Sequence, residues 1–345
     1  MGKLMRYGRI NILEEYVSRL FRVLPTFAAL IAFCTLILPW VSSGPLWNQV
    51  ITHHSTICKK YWWRNLLFIH NYYGFKDMCL THTHHVGIDT QLFFLSPTLV
   101  LLLWKWPKKG AYILGFIALL STVLRYYVTY SMELSNYVHF GTSIKQLFAT
   151  ADNMYILPIH RATVYIIGIF TGYAMRKYRH ATFTKSQYRI ACHVLFIGNC
   201  LAFFSPAFMG SIDYVYNPTH AAWYAAISPI LWSVGFSWFI FVTHTGHSGF
   251  WESIFSWAPF SLWTKISYTV YLIQFPVFFY NLGVNRSTQH YGFFSMLLNL
   301  QEQVWIVGLA IVLTLLIEMP FQNIRSIIFK KKQMSVEPPP QKKVT

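Results

Sequence analysis

Charged residues are scarce in this chain of 345 residues, of which only 11% are Asp, Glu, Lys or Arg. A soluble domain needs about a quarter of its residues charged, so a chain that is 54% hydrophobic and 19% aromatic cannot present a fully water-exposed surface. Among the charged residues, Asp and Glu (11) are rarer than Lys and Arg (28), and the net charge is +17. The basic residues form short clusters between apolar runs, without a basic stripe of interleaved aromatics, which excludes a nucleic-acid-binding surface. The composition predicts a multi-pass membrane protein.

Long apolar runs are plentiful. A helix needs about 20 mostly apolar residues to cross the hydrocarbon. Eight stretches qualify: roughly 23–42, 86–106, 110–130, 162–178, 188–208, 221–243, 262–282 and 297–319. The fourth stretch is short and the seventh contains Pro276, so a re-entrant segment is an alternative for either. The sequence therefore predicts an all-α polytopic helix bundle with about eight transmembrane helices.

The basic clusters predict how this bundle is oriented. They precede the first stretch, follow the second, separate the fourth from the fifth and follow the eighth. If every stretch crosses, all four clusters share one side, which the positive-inside rule makes cytoplasmic. Both termini are then cytoplasmic. The predicted organisation is a cytoplasmic amphipathic segment (1–22), a transmembrane domain (23–325) with a lumenal loop (43–85), and a disordered basic, proline-rich tail (326–345).

Cysteine is rare, with five residues in the chain. Cys58 and Cys79 are the ones outside predicted helices, and both lie in the loop 43–85. A lumenal compartment is oxidising, so we predict a disulfide between them; two free thiols are the alternative. No signal peptide is visible in the first twenty residues. The terminal Lys342-Lys343-Val344-Thr345 resembles a dilysine retrieval signal, which predicts the endoplasmic reticulum, with the plasma membrane as the other candidate.

Ionisable residues inside membrane helices are costly and are candidates for function. Asp89, Arg125, His193 and Glu318 lie within predicted spans, and His160 and Arg161 lie at a helix mouth. The plainer interpretation is structural pairing, for example of Arg125 with Asp89 or Glu318. Pairing and catalysis are equally compatible with the sequence.

His82, His85 and Asp89 form the densest polar group beside an apolar run. On a continuous helix they share one face, at i, i+3 and i+7. Three such ligands could bind zinc, but the spacing matches no established zinc motif, so we predict no metal site. A histidine–aspartate pair for proton transfer is the preferred interpretation, because imidazole titrates near neutrality and a carboxylate can orient it. Histidines at a wet helix entrance without a function are the alternative.

The same stretch resembles a known family. His82-Thr83, the run from Asp89-Thr90-Gln91 to Ser96-Pro97, and Trp104-Lys105-Trp106-Pro107 resemble the HTWYLxxDMQLFxLSP segment of the nose resistant to fluoxetine proteins, animal members of the acyltransferase-3 superfamily. Further similar segments are Arg19-Leu20-Phe21-Arg22, Gly44-Pro45-Leu46-Trp47-Asn48, Asp77-Met78-Cys79-Leu80, Tyr268-Thr269-Val270-Tyr271-Leu272 and Glu318-Met319-Pro320. The resemblance runs in order over nearly the whole chain.

This resemblance implies an integral membrane domain that moves an acyl group from a donor such as acyl-coenzyme A to a hydroxyl of a lipid or other small acceptor. It implies no tightly bound cofactor, and membrane lipids as surroundings. By position it assigns His82, Asp89 and Arg161 to catalysis. The expected substrate-binding residues are Gln91, Arg125, Tyr268, Tyr271 and Gln274. A histidine base can take the acceptor's proton, while arginine stabilises an oxyanion or binds phosphate.

The chain departs from the family pattern at several motif positions. His84-His85 stands for Trp-Tyr of the first motif, and Leu157 and Ile159 stand for the first arginine and the tryptophan of a YTRPWTR-like stretch. Gln274 stands for an expected histidine. Family members also carry a lumenal domain and two helices that would precede Met1, which implies an amino-terminally truncated chain. The alternatives to acyl transfer are an inactive relative that binds or carries lipids or hydrophobic small molecules, and a secondary transporter, which the absence of an internal repeat disfavours.

Overall fold

The computed structural model describes residues 11–246, 250–287, 292 and 299–334, and all regular structure in these ranges is helical. Numbered in chain order, the α-helices are α1 (Ile12–Ala32), α2 (His53–Leu66), α3 (His84–Lys105), α4 (Pro107–Ser131), α5 (Ile144–Thr150), α6 (Ala162–Lys177), α7 (Lys185–Phe204), α8 (Pro218–His244), α9 (Phe250–Phe255), α10 (Ala258–Val284), α11 (Leu300–Leu313) and α12 (Met319–Met334). The predicted all-α fold class is confirmed.

Each predicted span coincides with a helix. Six helices of the described ranges are long and apolar enough to cross a membrane: Ile12–Trp40, Thr81–Lys105, Pro107–Ser131, Lys185–Gly210, Pro218–His244 and Leu300–Ile328. They include short 3-10 or π turns that extend α1, α3, α7 and α11. The fourth predicted span is the 16-residue α6 and the seventh is α10. The protein is an integral multi-pass membrane protein; the count of eight and the side of the termini stay predictions.

The two ends of the described chain differ from the predicted boundaries. The first helix begins at Ile12, where the Asn11 side chain accepts a hydrogen bond from the Glu14 backbone, and it runs without a break past residue 22. The amphipathic segment and the first span are therefore one helix, and residues 1–10 lie outside the described ranges. The helix α12 continues to Met334, so the tail boundary predicted at 326 lies inside a helix. Residues 335–345 also lie outside the described ranges.

The described chain divides into two compact units. The internal unit comprises residues 67–246 and 250–257, with α3 to α9. One of its apolar core clusters is formed by Leu103, Leu114 and Ile166, where α3, α4 and α6 meet. The helix α8 packs against α4, α6 and α7. Its buried alanines, such as Ala222 and Ala225, are small enough to let helix backbones approach closely, as in other membrane bundles.

The terminal unit comprises residues 11–66 and the described residues from 258 onward, with α1, α2 and α10 to α12. The Tyr268 hydroxyl of α10 donates to the Val23 carbonyl of α1 at 3.0 Å. The Thr269 and Thr314 hydroxyls, at 2.7 Å, join α10 to the end of α11. A Cβ added to Gly283 would lie 2.9 Å from the Trp47 ring, so this glycine permits a close helix approach.

The segment predicted as a lumenal loop, 43–85, is largely helical. It contains a π turn at Asn48–Thr52, the helix α2 and two short 3-10 turns. Cys58 and Cys79 in this segment are buried and disulfide-bonded, whereas Cys34, Cys192 and Cys200 are free thiols. The lumenal side of the segment stays a prediction.

Candidate functional site

The backbone at the start of α3 determines the direction in which its histidine side chains point. Leu80 has a left-handed backbone, with φ of 53°, which is uncommon for a residue with a branched side chain. A 3-10 turn over Thr81–Thr83 follows, held by the Thr83 hydroxyl donating to the Leu80 carbonyl at 2.7 Å. The α-helix proper begins at His84. His82 therefore belongs to the turn and does not follow the helical periodicity assumed for the sequence.

The predicted histidine–aspartate group is split by this turn. His82 and His84 are both buried, each with 5% of its surface exposed. His85 and Asp89 lie on the exposed side of α3. His82 is thus not at a wet helix entrance, and the expected common face of His82, His85 and Asp89 is not formed. Within the described ranges, no three His, Cys, Asp or Glu side chains are grouped to hold a metal ion.

Imidazole and guanidinium groups gather near the start of α3 in the internal unit. The His84 and His85 rings lie 4.0 Å apart, and the Tyr155 ring lies 5.1 Å from His84. The Arg161 guanidinium carbon lies 4.6 Å from the Tyr155 ring, and its Nη2 donates to the Tyr155 carbonyl at 3.3 Å. The Tyr155 hydroxyl and His85 Nε2 are 3.5 Å apart. With Arg125 and His160, described next, these residues form the imidazole–guanidinium cluster.

Arg125 gives the cluster a buried positive charge. Only 7% of its surface is exposed, and its Nη1 donates to the His160 carbonyl at 3.4 Å. The titratable side chains that act on it electrostatically are Arg161 and Tyr155. The predicted pairing of Arg125 with Asp89 is not among these interactions, and its pairing with Glu318, a residue of the terminal unit, stays a prediction. An uncompensated buried cation is costly and attracts an anion.

His160 is a neutral imidazole in the same cluster. It is 4% exposed, and its Nδ1 is buried without a hydrogen-bond partner. Burial, with a further contribution from the Arg125 charge, lowers the pKa of His160 to about 4. At neutral pH this side chain therefore presents a lone pair and no charge beside the two guanidinium groups.

The low pKa of His160 predicts a loss of stability in acid. An unfolded histidine has a pKa of about 6.5. Between about pH 6.5 and pH 4, His160 therefore binds a proton in the unfolded chain but not in the folded protein, which favours unfolding. We expect the melting temperature to fall over this window, and to fall less in His160→Asn. Thermal unfolding in detergent from pH 7.5 to 4.5 measures it, with His180→Asn, at an exposed position, as the matched control. If the melting temperature fell equally with pH in His160→Asn and in the wild type, the lowered pKa of His160 would not be the cause of the acid sensitivity.

Gln91 has its hydrogen-bonding capacity filled by the protein. Its amide nitrogen donates to the Phe68 carbonyl and to Asn71 Oδ1, and its oxygen accepts from the Tyr72 hydroxyl at 3.2 Å and from Asn71 Nδ2 at 3.4 Å. Two donors and two acceptor lone pairs are all that a glutamine amide has. Asn71 Nδ2 also donates to the Ile156 carbonyl, at 3.0 Å. The geometry gives Gln91 a role in fixing residues 68–72 against α3 rather than in holding a substrate.

The remaining predicted site residues belong to the terminal unit or to α7. Tyr268, Tyr271 and Gln274 belong to α10 of the terminal unit, whereas Gln91 and Arg125 belong to the internal unit. Glu318 also belongs to the terminal unit, where it is buried and accepts a hydrogen bond from Gln322 at 2.9 Å. His193 is exposed on α7, and its Nδ1 is 2.7 Å from the Arg189 carbonyl.

Sequence reasoning missed three residues that the structure places in or beside the cluster. His84 stood at a motif tryptophan position and was not assigned a role. Tyr155 belongs to the YTRPW-like stretch, which was the available signal for it. Asn71 carried no signal, because its partners Gln91 and Ile156 are distant in sequence.

Comparison with known proteins agrees with this architecture and places the chain in a class. A family model described as an acyltransferase domain matches residues 2–321, and the chain belongs to this acyltransferase-3 family of membrane proteins. It is 23% identical over 343 residues to "Nose resistant to fluoxetine protein 6" of Caenorhabditis elegans, which covers 92% of this chain and 40% of that protein. It is also 23% identical over 171 residues to "Regulator of hypoxia-inducible factor 1" of the same organism, covering 45% of this chain and 32% of that protein.

The chain thus spans less than half the length of the curated relatives that it matches. No solved structure matches it significantly.

Proposed function

We propose that this chain is a membrane-bound O-acyltransferase whose centre is the imidazole–guanidinium cluster of the internal unit. The donor is a thioester such as acyl-coenzyme A, used as a co-substrate rather than as a bound cofactor. The acceptor is a hydroxyl of a lipid or another small molecule. Family membership supports acyl transfer as the class of reaction. The endoplasmic reticulum is the proposed membrane, on the basis of the dilysine-like carboxyl terminus.

The observation that carries this proposal is the pair of guanidinium groups beside neutral imidazole. Acyl transfer places a negative charge on the former carbonyl oxygen when the hydroxyl oxygen attacks the thioester carbon. Arg125 is buried and interacts electrostatically with Arg161. Positive groups already in place in a water-poor site stabilise such an oxyanion without reorganisation. Imidazole nitrogens with available lone pairs supply the proton transfer that the attack requires.

The test is transfer of a radiolabelled acyl group by the full chain in phospholipid vesicles, with products separated after lipid extraction. Replacing Arg161 with glutamine should lower kcat/KM by about 10²–10³-fold, the size of effect seen when one oxyanion donor is removed. Arg176→Gln, in the last turn of α6, is the matched control and should transfer at the wild-type rate. Wild-type transfer by Arg161→Gln would contradict the proposal. Tight binding of labelled acyl chains without any transfer by the wild type would instead support the lipid-binding alternative.

A further inference from the structure

His84 has one ring nitrogen fixed and the other available. Its Nδ1 lies 2.8 Å from the Thr81 carbonyl oxygen. Because a carbonyl oxygen can only accept, Nδ1 carries the proton and Nε2 carries the lone pair. Nε2 is buried and has no hydrogen-bond partner. An unsatisfied buried acceptor costs about 1–3 kcal/mol, so this nitrogen is set to accept a hydrogen bond from a bound hydroxyl group.

The surroundings of His84 fit a reacting group better than those of the neighbouring histidines. The His84 ring packs against the Tyr155 ring, and the Arg161 guanidinium lies over the same Tyr155 ring. His84 also interacts electrostatically with Arg161. His85 is exposed, and its Nε2 is already near the Tyr155 hydroxyl. His160 also presents a buried lone pair, but a pKa of about 4 makes it a weak base at neutral pH. His84 therefore combines a fixed tautomer, an open Nε2 and a nearby cation.

We propose that His84 is the general base of the acyl transfer, a role that rests on the proposed function. Nε2 accepts the proton of the acceptor hydroxyl while its oxygen forms a bond with the thioester carbon. The tetrahedral intermediate then expels the thiolate as the carbon–sulfur bond breaks. The imidazolium returns the proton to the thiolate sulfur, so that an ester and a free thiol leave and His84 is restored. The hydrogen bond from Nδ1 to the Thr81 carbonyl fixes the ring and stabilises the imidazolium stage.

The decisive variant is His84→Asn. Asparagine can keep an N–H donor for the Thr81 carbonyl but has no atom at the Nε2 position. We expect kcat/KM for acyl transfer to fall by about 10²–10⁴-fold, the usual contribution of a general base. The melting temperature and the binding of a non-hydrolysable thioether analogue of acyl-coenzyme A should stay at wild-type values. The matched control is His139→Asn, a buried histidine outside the cluster, which should keep wild-type transfer.

A second variant and a chemical rescue make the test independent of folding losses. His84→Gln places an amide near the Nε2 position but supplies no base, and it should be as inactive as His84→Asn. In His84→Gly, added imidazole should restore transfer in a concentration-dependent way, with a pH profile that follows the added base. A merely structural role would not produce this rescue.

The outcomes separate the two proposals. Transfer by His84→Asn or His84→Gln within about threefold of the wild type, far below the effect expected of a general base, overturns the His84 assignment and leaves the acyltransferase proposal standing. A wild-type chain that binds the donor analogue but transfers no acyl group to any hydroxyl acceptor overturns the proposed function, and the His84 assignment falls with it.

Discussion

Replacing Asn71 with leucine should destabilise the internal unit by about 2–6 kcal/mol, because two hydrogen-bonding groups lose their partner at about 1–3 kcal/mol each. Asn71 is 1% exposed, and its amide joins two parts of the chain that are far apart in sequence. Its Oδ1 accepts from Gln91 at 2.8 Å, and its Nδ2 donates to the Ile156 carbonyl at 3.0 Å. Leucine has a similar size but leaves the Ile156 carbonyl and one N–H of the half-buried Gln91 amide without this partner, at a cost of about 1–3 kcal/mol each.

The substitution should also lower acyl transfer, because Ile156 follows Tyr155 directly and the bond from Asn71 holds this segment near α3. Thermal unfolding in detergent and the vesicle assay measure the two effects. Asn153→Leu is the matched control, since Asn153 Nδ2 donates only within its own helical turn, to the Ala149 carbonyl at 2.9 Å. We expect that control to cost less than about 1 kcal/mol. Equal losses in the two variants would show that the Asn71 network does not hold the site.

A double substitution checks the cause. If the loss in Asn71→Leu comes from the unsatisfied Gln91 amide, then adding Gln91→Leu removes that amide as well. The double variant should be less destabilised than the sum of the two single variants, with a coupling energy of about 0.5–3 kcal/mol. Additive losses would mean that the two side chains act independently.

The long helices could be predicted because hydropathy and length depend on local sequence alone. Pro107 at the first position of α4 and the capping box of Thr184 and Gln187 at α7 are local signals of the same kind. The segment 43–85 has no long apolar run, and its helical turns depend on tertiary packing, so its helicity was missed. The boundary predicted at residue 22 is absent from the helix Ile12–Ala32, because its amphipathic and fully apolar parts join without a cap or break.

The candidate site could be predicted only in part. Arg161, Arg125 and the region of His82 to Asp89 were found because charge and imidazole are unusual in apolar sequence. The choice among the histidines depended on helical phase, and the left-handed Leu80 with the following 3-10 turn changes that phase in a way that periodicity does not reveal. The neighbours of Arg125 are also set by tertiary structure: the side chains that act on it, Arg161 and Tyr155, lie about 30 or more residues further along the chain, and no local pattern shows this.

Replacing Arg125 with methionine should lower acyl transfer strongly and, at the same time, raise thermal stability. Methionine keeps a long flexible side chain but removes the charge. The variant loses the 3.4 Å hydrogen bond to the His160 carbonyl, worth about 1 kcal/mol. It also removes a buried cation, whose desolvation costs roughly several kcal/mol. The second effect is the larger, so we expect a net gain in stability together with a loss of transfer of at least about 10²-fold.

This opposite movement of stability and activity distinguishes a functional charge from a structural one. A guanidinium retained to hold the helices together would be needed for both properties, so Arg125→Met would lower the melting temperature and the yield along with transfer. A guanidinium retained for an oxyanion is a cost to the unliganded protein, which proteins tolerate at active sites. Arg179→Met, at an exposed position between α6 and α7, is the matched control and should change neither property. A lower melting temperature for Arg125→Met, with Arg179→Met unchanged, would assign Arg125 to the scaffold and leave Arg161 as the oxyanion group.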